Sequence, residues 1–152
     1  MATTNVLLDA IERMAAANPD APAFRSAHEP ETSYARLWAA TCGIARGLAC
    51  VPGRGPVLVL GPKRVLTVEC LLACLMSGHA YVPVDVGLPP KRVADIASQI
   101  DGATLLAACD VPSSLAAVLP NATVLDAREF LSSHDDAAPL PRETWGTGEQ
   151  TQ

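Results

Sequence analysis

The chain has 152 residues, of which 49% are hydrophobic and 18% are charged, and its formal net charge is −5. The apolar fraction excludes an intrinsically disordered chain, and the length fits one domain. An acidic chain with 4% aromatic residues and no basic run is also a poor nucleic-acid binder. No apolar stretch reaches the roughly 20 residues of a membrane span, and no secretory signal is visible. We therefore expect a cytoplasmic protein that contacts neither nucleic acid nor membrane and whose five cysteines are reduced.

The first half of the chain predicts an alternation of helices and short strands. In chain order these are a helix over residues 6–15, a strand over 21–25, a helix over 34–48 and a buried strand over 57–60. Asn5 or Thr4 is the expected N-cap of the first helix, and Ser33 that of the second.

The second half continues the alternation. The predicted elements are a helix over residues 64–77, a strand over 80–84, a helix opened by Pro89-Pro90, strands over 104–108 and 123–125 around a helix over 113–119, and a last helix over 126–131. Strands that alternate with helices are typical of parallel sheets, because crossover connections join them. The sequence thus predicts an α/β fold with a layered, Rossmann-like parallel sheet over residues 1–131 and a polar linker or tail over residues 132–152.

The helix over residues 65–76 is apolar on nearly every side. Such a helix must be covered all round, which favours a further layer of protein from a continuation of this chain or from a partner. A compact domain that wraps the helix completely is the alternative.

Cys70, Cys74 and His79 resemble part of a zinc site, since two thiols four residues apart share a helix face. A fourth ligand and a C-x-x-C loop are both missing, so we interpret the two cysteines as buried thiols. His28 and His134 lie in polar connections and are expected to be solvated.

Two further candidates lie at strand ends. Residues 61–64, Gly-Pro-Lys-Arg, precede a helix whose first amides could bind an anion, although ion pairing or solvation of the two cations is the commoner outcome. Asp85 ends a strand where catalytic groups often gather, but it could equally cap the following turn, which we favour. The residues alone reveal no active site.

A family resemblance enters at residues 75–85, Leu-Met-Ser-Gly-His-Ala-Tyr-Val-Pro-Val-Asp, followed by Leu-Pro-Pro-Lys-Arg-Val at 88–93. The string resembles the second core motif of amino-acid-adenylating domains, and its Ser-Gly-His-Ala-Tyr variant is most similar to D-alanine–D-alanyl carrier protein ligases. Residues 32–37 resemble the first core motif, L-T-Y-x-E-L, with Thr32 in place of Leu and Arg36 in place of Glu.

The resemblance covers about residues 5–131 and implies the incomplete N-terminal part of the large subdomain of such an enzyme. Full members activate a carboxylate with Mg-ATP and pass the product to a carrier-protein thiol. The T-S-G-S-T-x-x-P-K-G phosphate loop of the family does not occur in these 152 residues. The matching segments are scaffold in the family, where Tyr81, Pro83 and Asp85 shape the sheet and its turn and Arg92 ties a helix to it.

No catalytic, cofactor-binding or metal-binding residue is therefore expected here, and Mg-ATP is expected only for a completed enzyme. The resemblance implies a chain that is inactive alone and is completed by a C-terminal part, in cis or as a separate protein, with a phosphopantetheinyl carrier protein as a further partner. The alternative is a non-catalytic interaction module derived from an adenylation domain.

Overall fold

The computed structural model describes residues 5–52, 55–133 and 137–146. These residues form a mixed α/β structure whose elements alternate along the chain. In order they are α1 (Val6–Ala17), β1 (Pro22–Ser26), β2 (Glu29–Ser33), α2 (Tyr34–Ala49), β3 (Val57–Leu60), α3 (Val65–Met76), β4 (Tyr81–Val84), α4 (Pro90–Ser98), β5 (Thr104–Ala107), α5 (Ser113–Ala117), β6 (Thr123–Asp126), α6 (Ala127–Ser133) and a 3₁₀ turn (Arg142–Thr144).

The larger sheet has four parallel strands in the order β4-β3-β5-β6. Val57 in β3 lies between Tyr81 of β4 and Thr104 of β5. All residues of the two inner strands are buried, because helices cover both faces of the sheet. The prediction of a layered α/β fold with a parallel sheet is confirmed.

Two hydrophobic cores lie on opposite faces of this sheet. The first packs the sheet against α1, α2, α3 and α6, and its fully buried members include Leu8, Ile44 and Met76. The second packs the sheet against α4 and α5 through residues such as Val93 and Leu115. Helix α3 thus lies on one face and α4 and α5 on the other, as right-handed crossovers predict for a strand order that reverses direction after β4.

The predicted helix caps are present. Asn5 accepts a hydrogen bond from the Leu8 amide at 3.0 Å, and Ser33 accepts one from the Arg36 amide at 3.2 Å. Each satisfies an amide that would otherwise lack a partner in the first helical turn. Asn5, one of the two expected candidates, is therefore the cap of α1.

Sequence analysis missed the strand β2. It pairs antiparallel with β1 to form a separate two-stranded sheet. Its sequence, Glu-Pro-Glu-Thr-Ser, lacks the alternating apolar pattern that indicates a strand, and Thr32 is its one buried residue. Backbone pairing with β1 holds the strand, and an exposed ion pair joins Arg25 to Glu31.

Residues 137–146 lie against the first core although their composition is that of a linker. Leu140 and Trp145 are buried, and the Trp145 ring meets Trp38 edge-on at a centroid distance of 6.0 Å. Arg142 stacks over the Trp145 ring and forms an ion pair with Asp9 of α1. The boundary at residue 131 stays a prediction, although α6 continues to Ser133. Residues 134–136 and 147–152 of the expected tail, His134 included, lie outside the described residues.

Every residue of α3 is buried or half-buried, as its apolar composition predicts. Cys70, Ala73 and Cys74 have no exposed surface, whereas Leu66 and Val68 keep part of theirs because each borders an open pocket. Other residues of this chain thus cover much of the surface of α3. Whether a further layer of protein packs on the rest of the helix stays a prediction. No helix of the described residues is long and apolar enough to cross a membrane.

Candidate functional site

The structure brings the two strand-end candidates together. Residues 61–64 and Asp85 border one pocket of about 330 Å³ where β3 and β4 end, beside α3. Ligands of open parallel sheets commonly bind at the carboxyl ends of the strands, so this position is a reasonable place for a site. The remaining lining is mainly apolar and includes Phe24 and Leu71.

Gly61 is a packing residue in this pocket. A Cβ atom placed on it would lie 2.2 Å from Thr67 Oγ1 and 2.9 Å from the Ala108 Cβ. Thr67 in turn donates a hydrogen bond from its hydroxyl to the Pro62 carbonyl at 2.7 Å. The glycine therefore allows close approach of the strand end to α3, and this turn is not a glycine-rich phosphate cradle.

The start of α3 binds an anion that belongs to the chain itself. Glu29 of β2 accepts a hydrogen bond from the Val65 amide at 2.7 Å, and Arg64 donates to the His28 carbonyl at 3.4 Å. A carboxylate at a helix N-terminus is stabilised by the unpaired amides and by the helix dipole. The structural interpretation of residues 61–64 is thus favoured over the binding of an external anion.

Asp85 caps the turn that follows β4. Its carboxylate accepts a hydrogen bond from the Gly87 amide at 3.0 Å, and its carbonyl accepts one from the Leu88 amide at 3.0 Å. The cap that sequence analysis favoured for Asp85 is confirmed.

The two thiols considered as zinc ligands lie in the apolar core. Burial raises the pKa of Cys70 far above its usual range and that of Cys74 to about 12, so both thiols are protonated. Zinc binds the thiolate, which this environment disfavours. His79 is also buried and has Nδ1 3.2 Å from the Gly55 carbonyl oxygen. No cluster of three His, Cys, Asp or Glu side chains that could hold a metal occurs in the described residues.

The three other motif residues lie at the surface. Tyr81 and Pro83 are exposed on β4, an edge strand on which proline is tolerated. Arg92 is exposed on α4, and its side chain has no hydrogen-bond or ion-pair partner in the described part of the chain. The expectation that Arg92 ties a helix to the sheet is therefore wrong for this structure. His28 is exposed, as expected.

Sequence analysis missed Glu69, which the structure buries. Its exposed fraction is 5%, and it lies on the face of α3 that borders a second pocket, of about 380 Å³, between α2 and α3. Burial raises the pKa of Glu69 to about 8, although the positive charge of Arg36 on the opposite wall partly offsets this effect. The signal in the sequence is a single carboxyl group in an otherwise largely apolar helix.

The sequence model of the AMP-binding enzyme family matches residues 11–151. The chain belongs to this family. A D-alanine–D-alanyl carrier protein ligase of Bacillus velezensis is 34% identical over 147 residues, which are 91% of this chain and 27% of the relative. A ligase of the same name from Bacillus cereus is 33% identical over 107 residues, 69% of this chain and 21% of the relative. The chain therefore spans about a quarter of the length of these relatives.

Solved structures share the fold. The N-terminal subdomain of Klebsiella oxytoca NpsA, in complex with 3-hydroxybenzoyl-AMSN, matches 91% of this chain and 33% of its own with a TM-score of 0.68 and 19% identity. VinN in complex with L-aspartate matches 93% of this chain and 42% of its own with a TM-score of 0.74 and 16% identity. The described α/β structure thus shares the fold of about a third of the NpsA N-terminal subdomain.

The strand-end pocket lacks a glycine-rich cradle for a phosphate group. The helix start that faces the strand-end pocket already carries the Glu29 carboxylate, and the adjoining Gly61 is closed in by Thr67. Phosphate sites on helix N-termini need free amides and a backbone that can approach closely. At this pocket the Val65 amide is already bound, and Gly61 stands as a single, enclosed glycine.

Proposed function

We propose that this chain is the N-terminal scaffold of an ATP-dependent ligase that adenylates an amino acid and loads it onto a carrier protein. The chain is inactive alone and is completed by a C-terminal part, in cis or as a separate polypeptide. That part supplies the phosphate loop and the later nucleotide-binding groups. A phosphopantetheinyl carrier protein is the acceptor of the product, and the cytoplasm is its place of action.

Two observations together support this proposal: the chain belongs to the family, and a carboxylate of the chain itself occupies the N-terminus of α3. The chain matches the family over residues 11–151, yet the Val65 amide, where a phosphate could otherwise bind, holds Glu29. The chain matches only 27% of the length of the Bacillus velezensis ligase. This agrees with a scaffold role, since most of such an enzyme consists of residues that this match does not include.

Pyrophosphate exchange tests the proposal. The purified chain is assayed for amino-acid-dependent exchange of labelled pyrophosphate into ATP, with D-alanine and a panel of other amino acids. The chain alone should show none, whereas addition of the polypeptide that carries the family phosphate loop and follows this chain in the coding sequence should restore exchange. That polypeptide without the chain is the control.

Two results would contradict the proposal. Exchange by the chain alone would mean that it holds a complete site. Stable association with a partner outside the family, and no exchange in any combination, would favour a non-catalytic interaction module.

A further inference from the structure

The pocket between α2 and α3 has the form of a small-molecule site. Residues spaced at helical intervals on the two facing helices form its walls, and Thr32 of β2 and Leu131 of α6 close it. The residues from the two helices are Arg36, Ala39, Ala40 and Gly43 on α2, and Val65, Leu66 and Glu69 on α3. Its volume of about 380 Å³ lies in the range of ligand pockets, and most of the lining is apolar.

Glu69 is a buried polar group without a partner in this pocket. The exposed fraction of its side chain is 5%, and its carboxyl group makes no hydrogen bond within the described residues. In the described part of the chain, every fully enclosed side-chain oxygen has a hydrogen-bond partner. The Glu69 carboxyl oxygens have no such partner, so they are not fully enclosed and border the open space of the pocket. A buried carboxyl group that has no protein partner and borders a pocket is placed to hydrogen-bond a ligand there.

The charge of the pocket selects the ligand. Burial raises the pKa of Glu69 to about 8, so at neutral pH it is an uncharged acid with one O–H donor. Arg36 is always charged, and its guanidinium has no hydrogen-bond or ion-pair partner in the described part of the chain. Glu29 is the other charged group that acts on Glu69, and its carboxylate is bound to the Val65 amide. The α6 wall contributes the apolar Leu131.

We propose that this pocket binds a small organic carboxylate with an apolar body. The ligand carboxylate accepts hydrogen bonds from the Arg36 guanidinium and from the Glu69 O–H, while its hydrocarbon part lies against Ala39, Ala40 and Leu66. An ammonium compound fits less well, because it would meet Arg36 and an uncharged Glu69. The proposal does not rest on the proposed ligase function, and its test requires no ligation.

Hexanoate and hexylammonium are the matched probes, because they differ in the charge of the head group. Each is titrated into the ¹⁵N-labelled chain at pH 7, and the amide shifts of residues 36–43 and 65–69 are followed. Hexanoate should shift these amides in a saturable way, and hexylammonium should bind more weakly or not at all. Since only the protonated form of Glu69 binds the carboxylate, apparent affinity should fall about tenfold between pH 7 and pH 9.

Three variants complete the test. Glu69→Gln keeps a neutral donor, so it should bind hexanoate and lose the pH dependence. Arg36→Gln should weaken binding by about tenfold or more, the usual effect of a lost charged hydrogen bond. Arg92→Gln, an exposed arginine on α4 outside the pocket, should bind like the unchanged chain.

The proposal is overturned by any of three results. These are no saturable shift with hexanoate, tighter binding of hexylammonium than of hexanoate, or loss of hexanoate binding in a Glu69→Gln variant whose amide spectrum shows that it is folded.

Discussion

Replacement of Glu69 by glutamine should change how stability depends on pH. Burial raises the pKa of this carboxyl from 4.5 to about 8 in the folded chain. Between these two pH values the folded chain keeps a proton that the unfolded chain has lost. The unfolding free energy of the unchanged chain should therefore fall as the pH rises through this window and then level off above it. Glu69→Gln has no group to titrate there and should escape this loss.

The size of the effect follows from the pKa difference. Each pKa unit corresponds to about 1.4 kcal/mol, so the variant should be the more stable protein at pH 9 by about 3–5 kcal/mol. At pH 5 the two should differ by about 1 kcal/mol or less, because glutamine and the uncharged acid have nearly the same shape and donors. Urea unfolding at intervals from pH 5 to pH 9, under reducing conditions, measures the difference directly.

Glu143→Gln is the matched control for this experiment. Glu143 is exposed in the 3₁₀ turn, and surface substitutions of this kind usually change stability by less than about 0.5 kcal/mol. A stability difference between Glu69→Gln and the unchanged chain that is the same at pH 5 and at pH 9 would refute the assignment of Glu69 as a buried acid.

Three further substitutions test the packing around the site by urea unfolding. Gly61→Ala places a methyl group against Thr67 Oγ1 and the Ala108 side chain, and should cost about 1–3 kcal/mol. Glu29→Ala removes the carboxylate bound to the Val65 amide and should cost about 0.5–2 kcal/mol. Trp145→Ala removes a buried aromatic ring and should cost about 3–5 kcal/mol.

Each of these substitutions has a control of the same type. Gly87→Ala should be tolerated, because the nearest atom to its Cβ would be 3.7 Å away. Glu31→Ala breaks only an exposed ion pair, and Glu143→Ala changes only an exposed side chain. Losses as large in the controls as in the test variants would show that close packing, the helix cap and the buried ring are not the causes.

The sequence was sufficient for the elements whose pattern is local. The inner strand over Val57–Leu60 is a continuous apolar run, and α1 and α2 combine helical periodicity with Asn5 and Ser33 at their starts. Burial on both faces and capping leave a direct record in neighbouring residues, so these predictions hold. The motif around residues 75–85 likewise identified the family that residues 11–151 match.

Tertiary structure alone decided the contacts that join distant segments. Glu29 and Val65 are 36 residues apart, and the polar strand β2 carries no signal that it folds back to cap α3. The same holds for Trp145, which lies in a polar segment yet meets the Trp38 ring edge-on. Hydrophobic periodicity records the burial of one element at a time, whereas these contacts depend on how separate elements pack. Glu69 shows the difference most clearly, since its charge predicts exposure and the packing of α2 on α3 buries it.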